Sequence, residues 1–572
     1  MPVYNKDIVD QLNELADLLE IKGENEFRVR AYRNAVRILS GYSGRLAKEI
    51  REGEDLSEIS GIGDSIQEKV EEIVNTGKLK QLENLKKEIP ESLLEIMSLE
   101  QMGPRRTKTL YEELDIDSID DLKKAAKSGD IESLEGFGKK TVENILKEIE
   151  EYADKGGSDR IKWSEGDKIA TSLKEYMKDK VDDIEVAGSY RRKKATLGDI
   201  DILVTSKDKE KCMRAFTTFE DVDRVLSQGD TKSSVKLRNG VQVDLRLVDK
   251  NSFGAALLYF TGAKEHSIAL RKIAQKKDYT LNEYGVHKDD EKLASKTEKS
   301  MYKALGLKYI EPELRENRGE IEAARDDKLP NLIKPEDIRG DLHTHTKRTD
   351  GLYSLKEMAQ AAKDMGYDYY AVSDHSKKVS MADGLDEKRL GEQIEEINEL
   401  NESFSDFRIC KAIEVDILKD GTLDLSDDIL KELDFVIGAI HYNRNLSRKE
   451  QTQRVLKAME NPHFNILAHP TGRMLGERSA YDIDIKAVLD EAKDKGCYLE
   501  INANPQRLDL NDENARIAKE KGVKLAISTD AHSKDSLNYM RYGVAQARRG
   551  WLEKNDVLNT RSWKSLKKLL KR

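Results

Sequence analysis

Apolar and polar residues alternate in two short segments near the middle of the chain. In residues 199–204 the apolar side chains stand on one face, and Asp199 and Asp201 stand on the other. Residues 241–248 repeat this alternation, with Asp244 opposite the apolar face. Successive side chains of a β-strand point to opposite faces of the sheet, so both segments are predicted to be strands with an acidic outer face.

Two other patterns occupy the beginning and the end of the chain. Between residues 3 and about 50, leucine and isoleucine recur at the spacing of one helix face. From Arg339 onward, apolar runs alternate with helical stretches, which is typical of a parallel β/α barrel. The seven runs are GDLHTH, YYAVSDH, CKAIEVDI, FVIGAIH, NILAHP, CYLEINA and LAISTDAH. Between the two halves, residues 316–339 are charged and aperiodic, so we predict a linker with one short helix that lets a second domain reposition.

The acidic strands suggest metal chemistry. Asp199 and Asp201 point the same way, and Asp244 supplies a third oxygen ligand of the kind that Mg²⁺ prefers. A pair of such ions is the usual clamp for in-line displacement at phosphorus. The turn at Gly188 and Ser189, followed by arginines, would suit a triphosphate. The alternative is that both segments are ordinary amphipathic strands with solvated acidic faces.

Histidine placement gives the strongest metal signal. Of the nine histidines in the chain, six stand at the ends of the seven predicted strands. Functional groups of β/α barrels collect at the C-terminal ends of the strands. Imidazole mixed with carboxylate suits Mn²⁺, Zn²⁺ or Fe²⁺. Core packing is a poor explanation for so many histidines at one end of a barrel.

Composition limits the class of protein. A chain of 572 residues should hold several domains, because single cores rarely exceed about 250–300 residues. The net charge of −10 argues against nucleic-acid binding, but the basic residues are clustered locally. Three distant cysteines, no apolar run of about 20 residues and no signal sequence lead us to expect a cytoplasmic protein without membrane contact.

A glycine turn followed by a helix start occurs three times in the first 150 residues. The copies begin at Ile59, Leu99 and Leu134, and Gln101 replaces the first glycine of the middle copy. Small residues let the backbone approach a phosphate, whose charge the free N–H groups of a helix start can bind. The pattern resembles the helix-hairpin-helix module, which grips the DNA backbone without reading sequence. By this resemblance, the DNA-binding glycines are Gly61, Gly63, Gly103, Gly136 and Gly138.

Residues 188–271 resemble the nucleotidyltransferase palm of family X DNA polymerases, on the GS turn, the DID strand, the VDLR strand and Tyr259-Phe-Thr-Gly262. The resemblance implies that Asp199, Asp201 and Asp244 are catalytic and bind Mg²⁺ or Mn²⁺. It also implies a nucleotide site made of Gly188, Ser189, Arg192, Tyr259, Phe260, Gly262, Ser267 and Arg271. Ser267 is a departure, since the family commonly has Asn there against the base edge.

The first 88 residues resemble the amino-terminal domain of the same family, on the stretch from Gly61 through TGKL. The resemblance implies that Lys69 could attack an abasic sugar, and that Arg28 and Tyr32 hold the 5′ phosphate of a gap. A lysine in this role must lose its proton near neutral pH. The alternative is an ordinary exposed lysine among glutamates on a helix, with 5′-phosphate binding alone.

The histidine-rich half resembles the PHP (polymerase and histidinol phosphatase) domain, beginning with the HxH of GDLHTH. The resemblance implies up to three Mn²⁺ or Zn²⁺ ions and metal-assisted hydrolysis of a phosphoester. The implied ligands are His343, His345, Asp350, His375, Glu414, His441, His469, Asp530 and His532. Arg473 and Lys377, near the same rim, are candidates to hold the substrate phosphate.

Together the resemblances cover nearly the whole chain in the order of a prokaryotic family X polymerase with a C-terminal PHP domain. We predict a multidomain α+β and α/β protein with a mixed-sheet palm and a seven-stranded (β/α) PHP barrel. The predicted parts are 1–88, lyase-like helical; 89–155, helix-hairpin-helix; 156–318, palm and thumb; 319–337, linker; and 338–572, PHP.

The resemblance implies gap-filling DNA synthesis with a 3′→5′ exonuclease, abasic-site or 3′-end processing activity. The expected partners are gapped or nicked DNA and dNTPs, and we expect a monomer. Two alternatives remain. One is a PHP phosphoesterase of small molecules with an inactive palm, and the other is a DNA-end binding module without chemistry.

Overall fold

A computed structural model describes residues 5–571 of the chain. Its description leaves out residues 41–45, 57–58, 60, 90–91, 98, 100–101, 135, 140, 143–144, 147–159 and 290 within that range. Gln101, the departure in the second glycine turn, therefore lies outside the described residues. The chain divides into two compact units, residues 1–158 and 159–572, and each is described by itself.

The first unit is helical in its described part. Glycines mark several helix boundaries: Gly63 and Gly103 precede helices in extended conformation, and Gly77 and Gly129 end helices in the left-handed conformation. The helices are Asn5–Lys22, Glu26–Ser40, Leu46–Glu52, Asp64–Thr76, Lys80–Glu88, Ser92–Met97, Pro104–Leu114 and Ile119–Ser128, with a 3₁₀ turn at Asp130–Ser133.

The second unit begins with a mixed five-stranded sheet, as predicted for the palm. In spatial order its strands are Asp183–Val186, Asp199–Thr205, Gln242–Leu247, Lys232–Leu237 and Val222–Gln228. The second and third strands are parallel, and the other neighbours are antiparallel. A short pair, Ile161–Lys162 and Thr196–Leu197, stands beside the sheet with helices Trp163–Met177, Gly188–Arg191 and Lys209–Thr217 and a 3₁₀ turn at Lys250–Ser252.

A smaller helical subdomain with a three-stranded antiparallel sheet follows. Its helices are Phe253–Thr261, Lys264–Gln275, Glu298–Leu305 and Glu320–Arg325, with a 3₁₀ turn at Pro312–Leu314. Its strands are Thr280–Asn282, Gly285–Lys288 and Glu291–Ala294. Gly254 allows the first helix to pack closely, since a Cβ there would stand 2.3 Å from the backbone of Thr297.

The remaining strands are parallel and alternate with helices. They are Gly340–Asp341, Tyr369–Val372, Arg408–Lys411 continuing as Glu414–Asp416, Val436–Ala439, Phe464–Leu467, Tyr498–Asn502 and Leu525–Ser528. All neighbouring pairs are parallel. A parallel bridge between Thr344 and Ala531 joins the ends of the first and last strands, so the seven predicted strands close on themselves.

Several barrel helices begin with side-chain caps. Ser354 and Ser447 each accept a hydrogen bond from the backbone of a glutamate three residues later, which returns the bond in a capping box. Helices Ile485–Lys495 and Asp512–Lys521 end at left-handed glycines. The helices are Leu355–Asp364, Glu387–Glu402, Asp427–Leu430, Arg448–Met459, Ile485–Lys495, Asp512–Lys521, Met540–Arg549 and Trp563–Leu570. The 3₁₀ turns are Pro335–Asp337, Ser380–Ala382, Asp535–Tyr539, Lys554–Asp556 and Leu558–Thr560.

The barrel and the palm share one hydrophobic core. Leu508, Tyr542 and Ala545 of the barrel half are buried in the same cluster as the apolar faces of the palm strands. Tyr542 meets the ring of Trp163 edge to face, with centroids 5.2 Å apart. The two halves are therefore packed together as parts of one body.

The prediction that residues 316–339 form a linker that lets the second half reposition is wrong. The short helix Glu320–Arg325 is present, but Ile321, Ala324, Leu332 and Ile333 are buried. The peptide N–H of Ile333 donates to the carbonyl of Leu552 at 3.0 Å. The apolar residues scattered among the charges pack into the hydrophobic clusters on either side and fix the segment in place. The sequence did not show this packing, because these residues follow no helix or strand period.

Glu298 is a buried carboxylate between two arginines. It accepts two hydrogen bonds from Arg191, each 2.8 Å long, and a third from the fully buried Arg315. Burial opposes the ionised form, but the two arginines outweigh burial and lower the pKa of Glu298 to about 2. The carboxylate therefore stabilises the fold fully above the usual carboxyl pKa, and this contribution is lost as the pH falls toward 2.

We expect Glu298→Gln to destabilise residues 159–572 by about 3 kcal/mol at pH 7, because the buried Arg315 and the half-buried Arg191 lose their counter-charge. The difference from the wild type should shrink between pH 4.5 and 2. The chain's three tryptophans, Trp163, Trp551 and Trp563, all lie in this unit, so urea unfolding followed by tryptophan fluorescence measures it. The control is Glu185→Gln, which removes a half-exposed partner of Lys174. Equal midpoints for Glu298→Gln and the wild type at pH 7 would contradict the expectation.

Candidate active sites

The predicted acidic strands are neighbours in the palm sheet. The parallel register places Asp201 directly beside Asp244, and Asp199 follows the same face two residues earlier. Asp199 is exposed, whereas Asp201 and Asp244 are half-buried. The sheet thus brings the three carboxylates together on one face, as the alternation predicted.

Asp244 is already partnered. It accepts a hydrogen bond from Gln242 at 2.9 Å, and Nζ of Lys232 lies 3.0 Å from its other oxygen. Burial and the neighbouring carboxylates of Asp199 and Asp244 raise the pKa of Asp201 to about 6. An acidic cluster of oxygen ligands under this repulsion fits a divalent cation, which would replace the lysine as counter-charge.

Gly188 is required by its contact with this cluster. Its φ is +60°, and a Cβ at this position would stand 2.4 Å from a carboxylate oxygen of Asp201. Only glycine combines this backbone conformation with this approach. The turn that carries Ser189 is therefore set directly against the acidic strand.

A cavity of about 660 Å³ opens beside the acids. It is lined by Ser189, Arg192 and both aspartates of the first acidic strand, together with basic residues that sequence reasoning missed. These additional basic residues are Arg160, Lys194, Lys236 and Lys264. The cavity thus combines carboxylates, which can bind metal ions, with several basic side chains, which can bind phosphate. This combination suits a nucleoside triphosphate with its metals.

The other predicted nucleotide-site residues lie on the next two helices and on the turn between them. Tyr259 and Phe260 pack edge to face with centroids 5.0 Å apart, and Phe260 and Gly262 line the cavity. A Cβ on Gly262 would stand 3.2 Å from Oγ of Ser267, so this backbone approaches the following helix closely. Arg271 is exposed, and its Nε donates to the carbonyl of Ser267 at 3.3 Å.

The first unit places its own predicted residues near one another. Nζ of Lys69 lies 5.7 Å from the ring centroid of Tyr32 and 3.4 Å from the carbonyl of Ser65. Arg28 is exposed and forms an ion pair with Glu24 at 3.6 Å. The glycines of the turns either have open space where a Cβ would stand or adopt a positive φ. Both features let the backbone approach a phosphate closely. These glycines are Gly63, Gly103 and Gly138, with open space, and Gly61 and Gly136, with positive φ.

The barrel gathers its predicted ligands at the C-terminal ends of the strands. Eight of the nine form three groups whose ligand atoms lie within 4.8 Å of one another. The groups are His345, Asp350, His375 and His532; His343, His345 and Asp530; and His375, Glu414 and His441. His469 adjoins them, with Nε2 3.0 Å from Glu414. Two histidines belong to two groups each, so neighbouring ions would share ligands.

Buried polar atoms at the centre of this cluster lack hydrogen-bond partners among the described residues. They include Nε2 of His343, both ring nitrogens of His345 and one oxygen of Glu414. Nδ1 of His375 lies only 2.7 Å from that oxygen, without hydrogen-bond geometry. Burial and the neighbouring His532 and His375 lower the pKa of His345 to about 3, which keeps its imidazole neutral. The neutral imidazole of His345 and the carboxylates with unused lone pairs fit a cluster of transition-metal ions.

Supporting residues that sequence reasoning missed surround this cluster. Glu500 lies 2.8 Å from Nδ1 of His343 and accepts the backbone N–H of His469 at 2.7 Å. Asp416 lies 3.6 Å from Nδ1 of His441. Such carboxylates orient metal-binding imidazoles. Glu500 stands in the predicted strand CYLEINA, so the rule that function collects at strand ends could have found it.

The suggested phosphate-binding pair is not supported by the contacts. Arg473 donates to the backbone carbonyls of Arg507 and Leu508, and Lys377 pairs with Glu387 at 2.8 Å. Arg507 lies nearer the metal cluster, with Nε 3.6 Å from Asp530. A linear sequence does not show which arginine supports the backbone.

Family models match consecutive parts of the chain. The matches are a helix-hairpin-helix domain at 3–79, a SAM-like helix-hairpin-helix tandem at 90–151, a DNA polymerase beta palm at 160–251, a DNA polymerase beta thumb at 256–316 and a PHP domain at 341–504. The DNA polymerase/3′-5′ exonuclease PolX of Bacillus subtilis (strain 168) is 38% identical over 576 residues, covering 100% of both chains. The chain belongs to the family X DNA polymerases with a PHP domain.

The barrel of this family X polymerase also has relatives of its own. A probable phosphatase of Thermoanaerobacter sp. (strain X514) is 32% identical over 235 residues, which cover 38% of this chain and 89% of the relative. A probable phosphatase of Clostridium acetobutylicum is 31% identical over 202 residues, covering 34% and 78%. No helix in the described ranges is long and apolar enough to cross a bilayer.

The shared ligands predict unequal losses of metal. His345 belongs to two groups and His441 to one, so we expect His345→Asn to lose more bound Mn²⁺ per chain than His441→Asn. Elemental analysis after equilibrium dialysis of the full chain measures this directly. His463→Asn is the control, because His463 belongs to the barrel half but to none of the three groups. Equal metal content in all three variants would show that the cluster does not bind the ions.

Proposed function

We propose that the chain is a template-directed gap-filling DNA repair polymerase that adds dNTPs to a 3′-OH, with a metal-dependent 3′→5′ exonuclease or 3′-end processing activity in the barrel. The observation that carries the polymerase assignment is the register of Asp201 beside Asp244, at the edge of a cavity lined by Arg192. The full-length relative, which is named for both activities, supports the pairing of polymerase and exonuclease.

At the palm, Asp199, Asp201 and Asp244 would hold Mg²⁺ or Mn²⁺, which supplies the charge stabilisation for in-line phosphoryl transfer. Ser189 and Arg192, which line the same cavity, would bind and orient the triphosphate. Tyr259 and Phe260 would limit the space beside the sugar, and Ser267 and Arg271 would face the base and template side. The reaction would depend on positioning, because the protein supplies no covalent step.

At the barrel, the nine ligands would hold up to three Mn²⁺ or Zn²⁺ ions, which supply a nucleophile and stabilise the leaving oxygen in phosphoester hydrolysis. Carboxylates such as Glu500, which lies 2.8 Å from Nδ1 of His343, would orient the imidazoles toward the ions. Arg507 is the basic residue placed to meet a phosphate near Asp530. The ligand chemistry of this site differs from that of the palm, so each site should work without the other.

The first unit would hold gapped or nicked DNA through the phosphate backbone. The open glycine turns suit contacts without sequence readout, and Arg28 and Tyr32 would meet the 5′ phosphate. We also infer that the protein acts as a cytoplasmic monomer. The part boundaries at 88, 155, 318 and 337 stay predictions.

A second candidate function has one supporting observation. The barrel alone matches proteins named as probable phosphatases over most of their length. A small-molecule phosphatase of this kind would hydrolyse histidinol phosphate faster than DNA. We favour DNA as the substrate because a DNA polymerase half shares a core with the barrel.

We expect Asp199→Asn with Asp201→Asn to abolish dNTP incorporation, because the cations lose two ligands, while shortening of the primer continues. His343→Asn with His345→Asn should do the reverse. The substrate is a duplex with a one-nucleotide gap and a 5′ phosphate, incubated with Mn²⁺ with and without dNTPs, and primer length is measured. Incorporation that survives the first change would refute the polymerase site. Gap binding without any turnover in wild type would favour a binding module.

The helix that carries Lys69 generates a separate expectation. If its amine attacks an abasic sugar, borohydride should trap a covalent complex with an incised abasic duplex, and Lys69→Ala should lose it. Lys80→Ala, on the next helix of the same unit, is the matched control. Equal trapping by both variants would assign the Schiff base to another amine, and no trapping by wild type would leave phosphate binding as the role of this surface.

A further inference from the structure

Arg549 of the barrel half reaches the nucleotide side of the polymerase. It ends the helix Met540–Arg549, and its Nη1 donates to the backbone carbonyl of Arg192 at 2.7 Å. The same nitrogen donates to Glu316 at 3.0 Å. Arg192 and Glu316 both precede the barrel, so one barrel side chain contacts the palm and the end of the thumb.

Glu316 links the two arginines. Its Oε1 accepts from Nε of Arg192 at 3.0 Å and from Nη1 of Arg549 at 3.0 Å. Burial disfavours the ionised form of Glu316, but the charges of Arg549 and Arg192 outweigh it and lower its pKa. One carboxylate thus divides its charge between a barrel arginine and the arginine at the proposed triphosphate site.

This sharing leaves part of Arg192 available to a ligand. Its Nη1 donates to the carbonyl of Thr261 at 2.8 Å, which fixes the plane of the guanidinium. Nη2 donates to no acceptor among the residues that the structure describes, and the side chain lines the cavity. The guanidinium is therefore preorganised with one free edge.

Arg549 is itself held firmly. Its side chain is only 3% exposed, and Nη2 donates to Asp512 at 2.7 Å. Earlier on the same helix, Tyr542 and Ala545 are buried in the core shared with the palm. A buried guanidinium needs all its partners, so its position is tightly specified.

We propose that Arg549 is a positioning residue for DNA synthesis: from the barrel, it satisfies Glu316 and the Arg192 backbone, so that the Arg192 guanidinium is free to bind the triphosphate of the incoming nucleotide. This inference rests on the proposed role of Arg192. The barrel would then serve polymerisation as a scaffold, independently of its metal cluster.

Loss of Arg549 has a defined consequence. Glu316 would be left with Arg192 as its principal counter-charge and would compete with the triphosphate for it. The carbonyl of Arg192 would also lose a buried donor. Binding of dNTP should weaken, whereas the chemical step, which depends on the acidic strands, should change less.

The test measures dNTP incorporation by the full chain on the gapped duplex. We expect Arg549→Gln to raise the KM for dNTP about tenfold, the scale of one lost charge-assisted hydrogen bond, with kcat changed less than about twofold. Arg549→Lys, which keeps the charge, should restore part of the loss. Arg549→Gln with Glu316→Gln should also restore part of it, because the competing carboxylate is gone. Exonuclease activity on a single-stranded 3′ end should be unchanged.

The matched control is Arg318→Gln. Arg318 pairs with Asp512 at 2.9 Å, the same acid that Arg549 contacts, but it touches neither Arg192 nor Glu316. A wild-type KM in Arg549→Gln, or an equal rise in Arg318→Gln, would overturn the inference, the latter by showing general loosening of the interface. Arg192→Gln separates the two proposals: an unchanged KM there would refute the role of Arg192 itself, whereas a raised KM there with a wild-type KM in Arg549→Gln would refute the positioning role alone.

Discussion

Buried carboxylates paired with cations join the palm, the thumb and the barrel. Glu298, Glu313 and Glu316 follow one another along a short stretch, and each meets two cations. The partners are Arg191 and Arg315, Lys193 and Arg548, and Arg192 and Arg549, respectively. Removing one member of such a pair leaves a buried charge uncompensated, so the pairs fix how palm, thumb and barrel meet.

The two candidate metal sites differ from these ion pairs, because each holds groups that repel or desolvate one another close together. In the palm the groups are carboxylates on one face of the sheet, with Lys232 serving as a counter-charge to Asp244. In the barrel they are imidazoles and carboxylates with unused lone pairs. Hard oxygen ligands and mixed nitrogen and oxygen ligands favour different metals, so one chain can keep two ion populations apart.

The shared core has a consequence for how the two activities would cooperate. Leu508, Tyr542 and Ala545 anchor the barrel on the palm, and the connecting segment is packed rather than extended. On the proposed function, a mismatched 3′ end that passes from synthesis to excision would have to move between two fixed sites. The DNA, rather than the barrel, would change position.

The sequence alone determined the architecture and most of the chemistry. Period-two alternation placed Asp199, Asp201 and Asp244 on strands, and the strand-helix rhythm placed the six histidines at one end of a seven-stranded barrel. These signals are local, because side-chain direction follows directly from strand geometry. Family resemblance then supplied the order of the parts.

Only the tertiary structure decided which charges pair and which segments are buried. Residues 316–339 look solvated in sequence, yet Glu316 joins Arg192 to Arg549, which are 357 residues apart in the chain. Likewise Arg473 supports the backbone while Arg507 approaches the metal cluster. The sequence pattern around a charged side chain does not show which residue it will pair with. A partner that is distant in sequence comes close only when the cores on either side have packed.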